Sequence, residues 1–270
     1  PRLCADARAT GARVALLTSL TDAGSIARVI DALPFLDRIQ IGMDAVTPEV
    51  YRRVRRGGDF DLLRSGVRSI LQARSRSGAG RPSVILSFLL LERNLHEAVP
   101  FVREARQAGA DGIVFLPVDL LGIEERTADL VGALRGEDVA RTVREAGRAA
   151  AAEGVRSNAE LLLDPPFLLA HRYGGGPLPG GKRCLRPWFS TFVTVDGEVR
   201  PCSRYAYEPQ AGLGSLRASS FSSIWNGAPY RAVRRGLAAG RLVHEPCGRC
   251  PGPYEEGGLI GNLLRRRRSP

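Results

Sequence analysis

The sequence predicts an α/β fold: a parallel sheet built from four strand-then-helix units, followed by a small cysteine-rich domain of a β-hairpin plus helix. Three observations carry this expectation. Four short apolar runs in the first half are each followed by a segment of helical spacing, the order that a parallel sheet with crossover helices requires. Around residues 164–181 the repeating texture gives way to loop punctuation, Asp164-Pro165-Pro166 and then GGGPLPGG. Beyond that point lie four of the five cysteines.

The elements follow in chain order. Arg13 to Thr18 has a strand's length, and Asp22 to Leu33 after it is helical, with Thr21 or Asp22 as N-cap. Arg38 to Met43 is the second strand; Thr47 then caps a short helix, and a longer one runs from Phe60 to about Arg76. Ser83 to Leu91, too apolar for a half-exposed strand, is expected to be buried on both faces, with a helix over Asn94 to Ala108 ended by Gly109. Asp111 to Leu116 forms the fourth strand, and a fourth helix spans about Gly136 to Glu153, stopped by Gly154. In the small domain, Phe189 to Val195 and Val199 to Pro201 flank the hairpin signal Asp196-Gly197, and a helix from Ser219 to Ala239 is interrupted near Pro229.

The parallel sheet is read as either an open doubly wound sheet or part of a (β/α) barrel, and in both the chemistry gathers at the carboxyl ends of the strands. Those positions are Thr18 and Ser19, Gly42 to Asp44, Glu92 to Asn94, and Pro117 to Asp119. No Gly-x-Gly-x-x-Gly turn or Walker-type loop supplies a phosphate cradle, so dinucleotide and nucleoside-triphosphate readings fail. With 270 residues, 44% hydrophobic and 25% charged, the chain is long and apolar enough for a sizeable core, and no apolar run reaches the length of a membrane span. Its net charge of +11 raises nucleic acid as a partner, but only Lys182 among 39 basic residues is a lysine. The arginine richness is spread along the chain, and no aromatic-interleaved basic motif supports nucleic-acid binding. The densest basic clusters are Arg52, Arg53, Arg55 and Arg56, and the tail Arg265 to Arg268.

Cys184, Cys202, Cys247 and Cys250 are spaced Cys-x17-Cys-x44-Cys-x2-Cys, with the hairpin inside the first gap. The two-residue spacing lets Cys247 and Cys250 turn to one centre, and a hairpin delivers a third thiolate beside them. Four soft thiolates without an oxygen-rich competitor select zinc or an iron-sulfur cluster. Disulfides are disfavoured in a chain without a secretory signal segment, and the expected location is the cytoplasm. Trp188 and Trp225 are expected to pack the small domain's core, and Cys4 is read as an incidental thiol.

Cys184-Leu-Arg-Pro-Trp188, Val195-Asp-Gly-Glu-Val-Arg-Pro-Cys202, Leu213-Gly-Ser-Leu216, Ile224-Trp-Asn226, Tyr230, Arg234 and Cys247-Gly-Arg-Cys250 resemble the carboxyl-terminal SPASM or shortened twitch module of radical S-adenosylmethionine enzymes. Residues 11–18, 39–44 and 51–61 resemble the same family's third and fourth barrel strands and the stretch after the fourth. The resemblance implies a partial (β/α)6 TIM-like barrel, third to sixth units present, over residues 1–165, a linker over 166–183, an auxiliary-cluster domain over 184–254 and an Arg-rich tail over 255–270. It implies one auxiliary 4Fe-4S cluster on Cys184, Cys202, Cys247 and Cys250, since no cysteine follows Cys250 as it does in the full SPASM pattern. The family's catalytic Cys-x3-Cys-x2-Cys loop is absent. S-adenosylmethionine and a second 4Fe-4S cluster are therefore expected only in an intact protein with further units upstream, and this fragment alone is expected to be inactive. Thr18 and Asp44 are the cofactor-contact candidates, although Ser19 stands where the family often has Asn and Gly42 where it commonly has Ser. The implied activity is radical oxidation or modification of a peptide or small molecule, with a reductant such as flavodoxin or ferredoxin. A catalytically inert binding or scaffold protein with a structural zinc or cluster module is the competing expectation.

Overall fold

The computed structural model describes residues 1–78, 80–119, 127–163, 169, 172–173, 184–205, 211–241, 247 and 250. These fall into two compact units, a larger one from Pro1 to Val118 that resumes at Ala128, and a smaller one that holds Asp119 and the described residues after Gly176. The linker of 166–183, the tail of 255–270 and the residues His171 and His244 lie, wholly or for the most part, outside the described residues.

In the larger unit, helix α1 (Arg2–Ala9) precedes β1 (Ala15–Thr18), α2 (Ala23–Ala32) and β2 (Arg38–Gly42). Then come α3 (Pro48–Val54), α4 (Phe60–Arg76), β3 (Ser83–Leu90), α5 (Ala98–Ala108), β4 (Gly112–Pro117), α6 (Thr127–Leu130), α7 (Gly136–Ala152) and α8 (Ala159–Leu163). The helix starts are written in the caps. Asp22 forms a reciprocal capping box with Ser25, and the Thr47 and Asp59 side chains accept from Val50 and Leu62 N–H groups. At the far end of α5, Gly109 sits at φ 79°, in the left-handed region that glycine enters without strain.

All four strands pair in parallel and in sequential order β1-β2-β3-β4, with Ala15 opposite Arg38, Arg38 opposite Ser83 and Ile85 opposite Gly112. An order that advances without reversing is that of a barrel wall and lacks the switch point of a doubly wound sheet. Every residue of β2 is buried, as are six of the eight in β3, so these central strands carry the core between the sheet faces. The two edges differ. At β1 the outer edge leaves Leu17 69% exposed. At β4 the segment before α8 closes the edge: Ile113 N–H donates to the Arg156 carbonyl, and buried Asn158 exchanges two hydrogen bonds of 2.8 Å with the Phe115 backbone.

The smaller unit contains α9 (Arg186–Phe189), the antiparallel strands β5 (Phe192–Val193), β6 (Glu198–Arg200) and β7 (Gly214–Ser215), then α10 (Phe221–Trp225) and α11 (Ala228–Ala238). The turn of the β5–β6 hairpin is set by Gly197 at φ 87°. Val199, Leu213, Ile224, Tyr230, Val233 and Leu237 form its core, with Cys184 and Trp225 packed against it. Trp188 departs from expectation: it is 42% exposed, and Pro187 is the residue of the single-turn α9 that is buried. A helix of one turn has only one face to give to the core, and Pro187 takes it.

Candidate iron-sulfur site and strand-end cluster

The smaller unit positions the cysteines through its core. Cys184 rests against the apolar cluster, and the chain just after it is pinned by Arg234, which donates to the Pro187 carbonyl at 2.7 Å and to the Trp225 carbonyl at 2.8 Å. The same guanidinium lies over the rings of Trp225 and Tyr230, 4.3 and 4.4 Å from their centroids, which gives a half-buried cation an attractive seat. Tyr230 donates to the Ser190 carbonyl at 3.3 Å, so both ends of α9 are held from α11. Cys202 leaves the end of β6, where Thr191 ties the hairpin by donating to the Arg200 carbonyl.

None of the five cysteines is in a disulfide, and all are half-buried. Burial pushes the Cys184 thiol up, opposed by the Arg186 N–H group and guanidinium, while Cys247 and Cys250 add to the rise. Cys202 is pushed up to about 11, first by burial, against the Arg204 N–H and the charge of Arg186, with Cys250 and Cys184 again adding to it. Cys184 and Cys202 are thus each penalised by the charge of two other thiols of the set. A pair of backbone N–H groups two residues beyond Cys184 and Cys202, together with the Arg186 charge, stands ready to offset that repulsion. Such a set suits thiolates that give their charge to a metal centre. The Tyr205 hydroxyl, which sequence spacing did not single out, stands 2.7 Å from the Cys247 sulfur. Among the described residues, no three His, Cys, Asp or Glu side chains close around one point as a lone metal ion demands.

At the carboxyl ends of the larger unit's strands a second constellation forms. Asp44 is 1% exposed and has φ 57°. One carboxylate oxygen accepts from Leu89 N–H at 2.7 Å; the other accepts from Arg55 Nε at 2.7 Å and from Nη2. Burial raises the Asp44 carboxyl, with Arg55 and the Leu89 N–H pulling the other way. Asn94, fully buried, donates to the Asp44 and Leu89 carbonyls and accepts from Leu91 N–H, locking the ends of β2 and β3 together. A Cβ at Gly42 would stand 3.0 Å from Arg55 Nη2, so a serine there would press on the guanidinium. Thr18 is half-buried, and its hydroxyl accepts from Leu20 N–H at 3.2 Å. Of the other carboxylates expected at strand ends, Glu92 accepts from Ala133 N–H, and Asp119 belongs to the smaller unit, where it pairs with Arg204. Buried Glu97, also missed from sequence, accepts from Val46 N–H and the Thr47 hydroxyl.

Comparison with protein families matches residues 184–251 to SPASM, an iron-sulfur cluster-binding domain. Among solved structures the chain is similar to anSMEcpe with bound AdoMet, at 14% identity and a TM-score of 0.50, covering 91% of this chain and 62% of that one. It is similar also to native anSMEcpe with bound AdoMet and the Kp18Cys peptide, at 15% identity and a TM-score of 0.52, covering 92% and 66%. The chain thus spans just under two thirds of the length of both. No curated protein matches it. Residues 184–251, which hold four of the five cysteines and the hairpin between Cys184 and Cys202, thus match an iron-sulfur cluster-binding SPASM domain, and the chain's fold is similar to that of anSMEcpe.

Proposed function

We propose that this chain is the greater part of a radical S-adenosylmethionine enzyme whose small domain, residues 184–254, holds one auxiliary 4Fe-4S cluster on Cys184, Cys202, Cys247 and Cys250. The observation that carries the reading is the match of residues 184–251, the stretch that holds all four of these cysteines, to an iron-sulfur cluster-binding domain.

Bound there, the cluster supplies one-electron transfer, and S-adenosylmethionine supplies the family's radical chemistry. The chain's own residues position and exclude. Residues 1–165 form the third to sixth units of a (β/α)6 barrel whose strand ends face the substrate. Thr18 and Asp44 lie on the S-adenosylmethionine side, and Asp44, sealed from solvent, acts there by holding Arg55 rather than by contact. The substrate class is a peptide or small molecule, as supported by the peptide bound in one of the similar structures. A flavodoxin- or ferredoxin-like reductant and a cytoplasmic setting complete the reading. Among the described residues, no helix is long and apolar enough to cross a membrane.

Anaerobic reconstitution of the chain with iron and sulfide tests it. The expected outcome is about four irons and four sulfides per chain with broad absorption near ~400 nm, lost in Cys250→Ala. One tightly bound zinc without sulfide would overturn the assignment in favour of a structural metal module.

A further inference from the structure

We propose that the Tyr205 hydroxyl donates a hydrogen bond to the Cys247 sulfur of the bound cluster, and so sets the cluster's reduction potential. The inference rests on the reading of Cys247 as a cluster ligand. Tyr205 closes a short 3-10 turn, Ser203–Tyr205, immediately after Cys202, and its side chain is 3% exposed. Its oxygen lies 2.7 Å from the Cys247 sulfur, 42 positions along the chain. A thiolate bound to iron has no proton to give, so in the loaded site the phenol is the donor and the sulfur the acceptor.

The physical consequence has a definite sign. Reduction of an iron-sulfur cluster places added negative charge on the iron-thiolate framework, and a donor aimed at one of its sulfurs stabilises the reduced form more than the oxidised one. A buried donor acts without competition from water, since Tyr205 is shielded and its ring is fixed by the turn that also carries Cys202. One side chain thereby couples two ligands: the turn that aims the phenol begins at Cys202, and the sulfur it reaches belongs to Cys247. Tyr230 offers the matching comparison, a buried tyrosine of the same unit whose hydroxyl goes to the Ser190 carbonyl instead of to a sulfur.

The test is a redox titration of the reconstituted chain, followed by visible absorption and paramagnetic resonance, for wild type and Tyr205→Phe, with iron and sulfide counted in each. Tyr205→Phe is expected to keep its iron and to shift the midpoint to more negative potential, by about a tenfold change in the oxidised-to-reduced ratio at fixed potential, 59 mV for one electron. Site-specific 3-fluorotyrosine at position 205, a stronger donor on a nearly isosteric ring, is expected to move the midpoint the other way, and this arm does not depend on how Tyr205→Phe folds. Equal midpoints for wild type and both position-205 variants, with full iron content, overturn the inference and leave the cluster assignment intact. A wild-type chain that takes up no iron and sulfide, or a Cys247→Ala variant that keeps a wild-type cluster, overturns the assignment itself.

Discussion

Truncating Arg55 tests whether the strand-end cluster of the larger unit is organised by a buried charge. Asp44 is sealed, with a side chain 2% exposed, whereas the Arg55 side chain is 39% exposed. Arg55→Ala therefore strands a carboxylate that keeps only the Leu89 N–H as partner. Breaking a wholly buried pair costs about 3–5 kcal/mol, and because solvent already reaches Arg55 and can follow into the space it leaves, the loss expected here is about 2–3 kcal/mol. The loss depends on pH in a set direction. Burial raises the folded-state pKa of Asp44 above the ordinary 3.8, so the folded chain holds that proton more tightly than the unfolded one. Stability contributed at this site then falls as pH rises from 3.8 through the folded pKa, and is flat above it. Removing Arg55 takes away an influence that lowers the pKa, so the window widens upward, and the variant's deficit is full at neutral pH and shrinks on acidification. Urea unfolding of both chains at pH 7.5 and pH 5 measures this, and Asp44→Asn combined with Arg55→Ala is expected to recover at least half of the loss at pH 7.5. A deficit under about 0.5 kcal/mol, or one equal at both pH values, would refute the account of a desolvated carboxylate held by Arg55.

Three further outcomes are expected. Asn158→Ala leaves the Phe115 N–H and carbonyl of a buried strand unpaired, and is expected to cost about 2–4 kcal/mol, read as a fall of about 2–4 °C in melting temperature per kcal/mol; Asn158→Asp does not rescue it, because the donor to Phe115 is lost. Arg234→Ala removes two carbonyl hydrogen bonds and two ring contacts that hold α9, and is expected to cost about 2 kcal/mol, visible as faster limited proteolysis within residues 184–241 while the larger unit stays protected. Asp37 is lowered: burial pushes its carboxyl up, but the Val14 N–H, Arg8 and Arg81 outweigh it. Its stabilisation is present above 3.8 and lost as pH falls through the folded pKa, so Asp37→Asn is expected to flatten the acid side of the stability profile.

The parallel sheet was legible because its strands are short apolar runs buried on both faces, and burial of that kind leaves little ambiguity when caps such as Asp22, Thr47 and Asp59 stand at the helix starts. Expected bounds and observed ones differ by a residue or two at β1, β3 and β4. Where a side chain competed with the backbone, the reading slipped. Asn94 was placed inside a continuous helix to Ala108, but its carboxamide takes the Leu91 N–H, so a 3-10 turn over Leu95–Glu97 precedes α5. Helix α1 gave no signal, since it buries no residue and has no apolar stripe to read.

The two functional regions differ in what a sequence can reveal of them. Cysteine type and spacing name a soft metal site directly, because few other chemistries gather four thiols in a quarter of a chain. What tunes such a site is set by contacts that no local spacing encodes: Tyr205 reaches a sulfur 42 residues away, and Arg186 influences Cys202 as well as its neighbour Cys184. At the strand ends the order is reversed. Asp44 was found as a carboxylate at the end of β2, yet its partner was hidden in the run Arg52, Arg53, Arg55 and Arg56, where composition makes every arginine look alike. Only the fold separates them. Arg53 goes to Glu49 on the exposed face of α3, while Arg55, one residue past the helix end, turns inward over Gly42 to the buried carboxylate. A glycine at 42, where the resembling family commonly has serine, leaves the guanidinium unpressed, since an added Cβ would stand 3.0 Å from Arg55 Nη2.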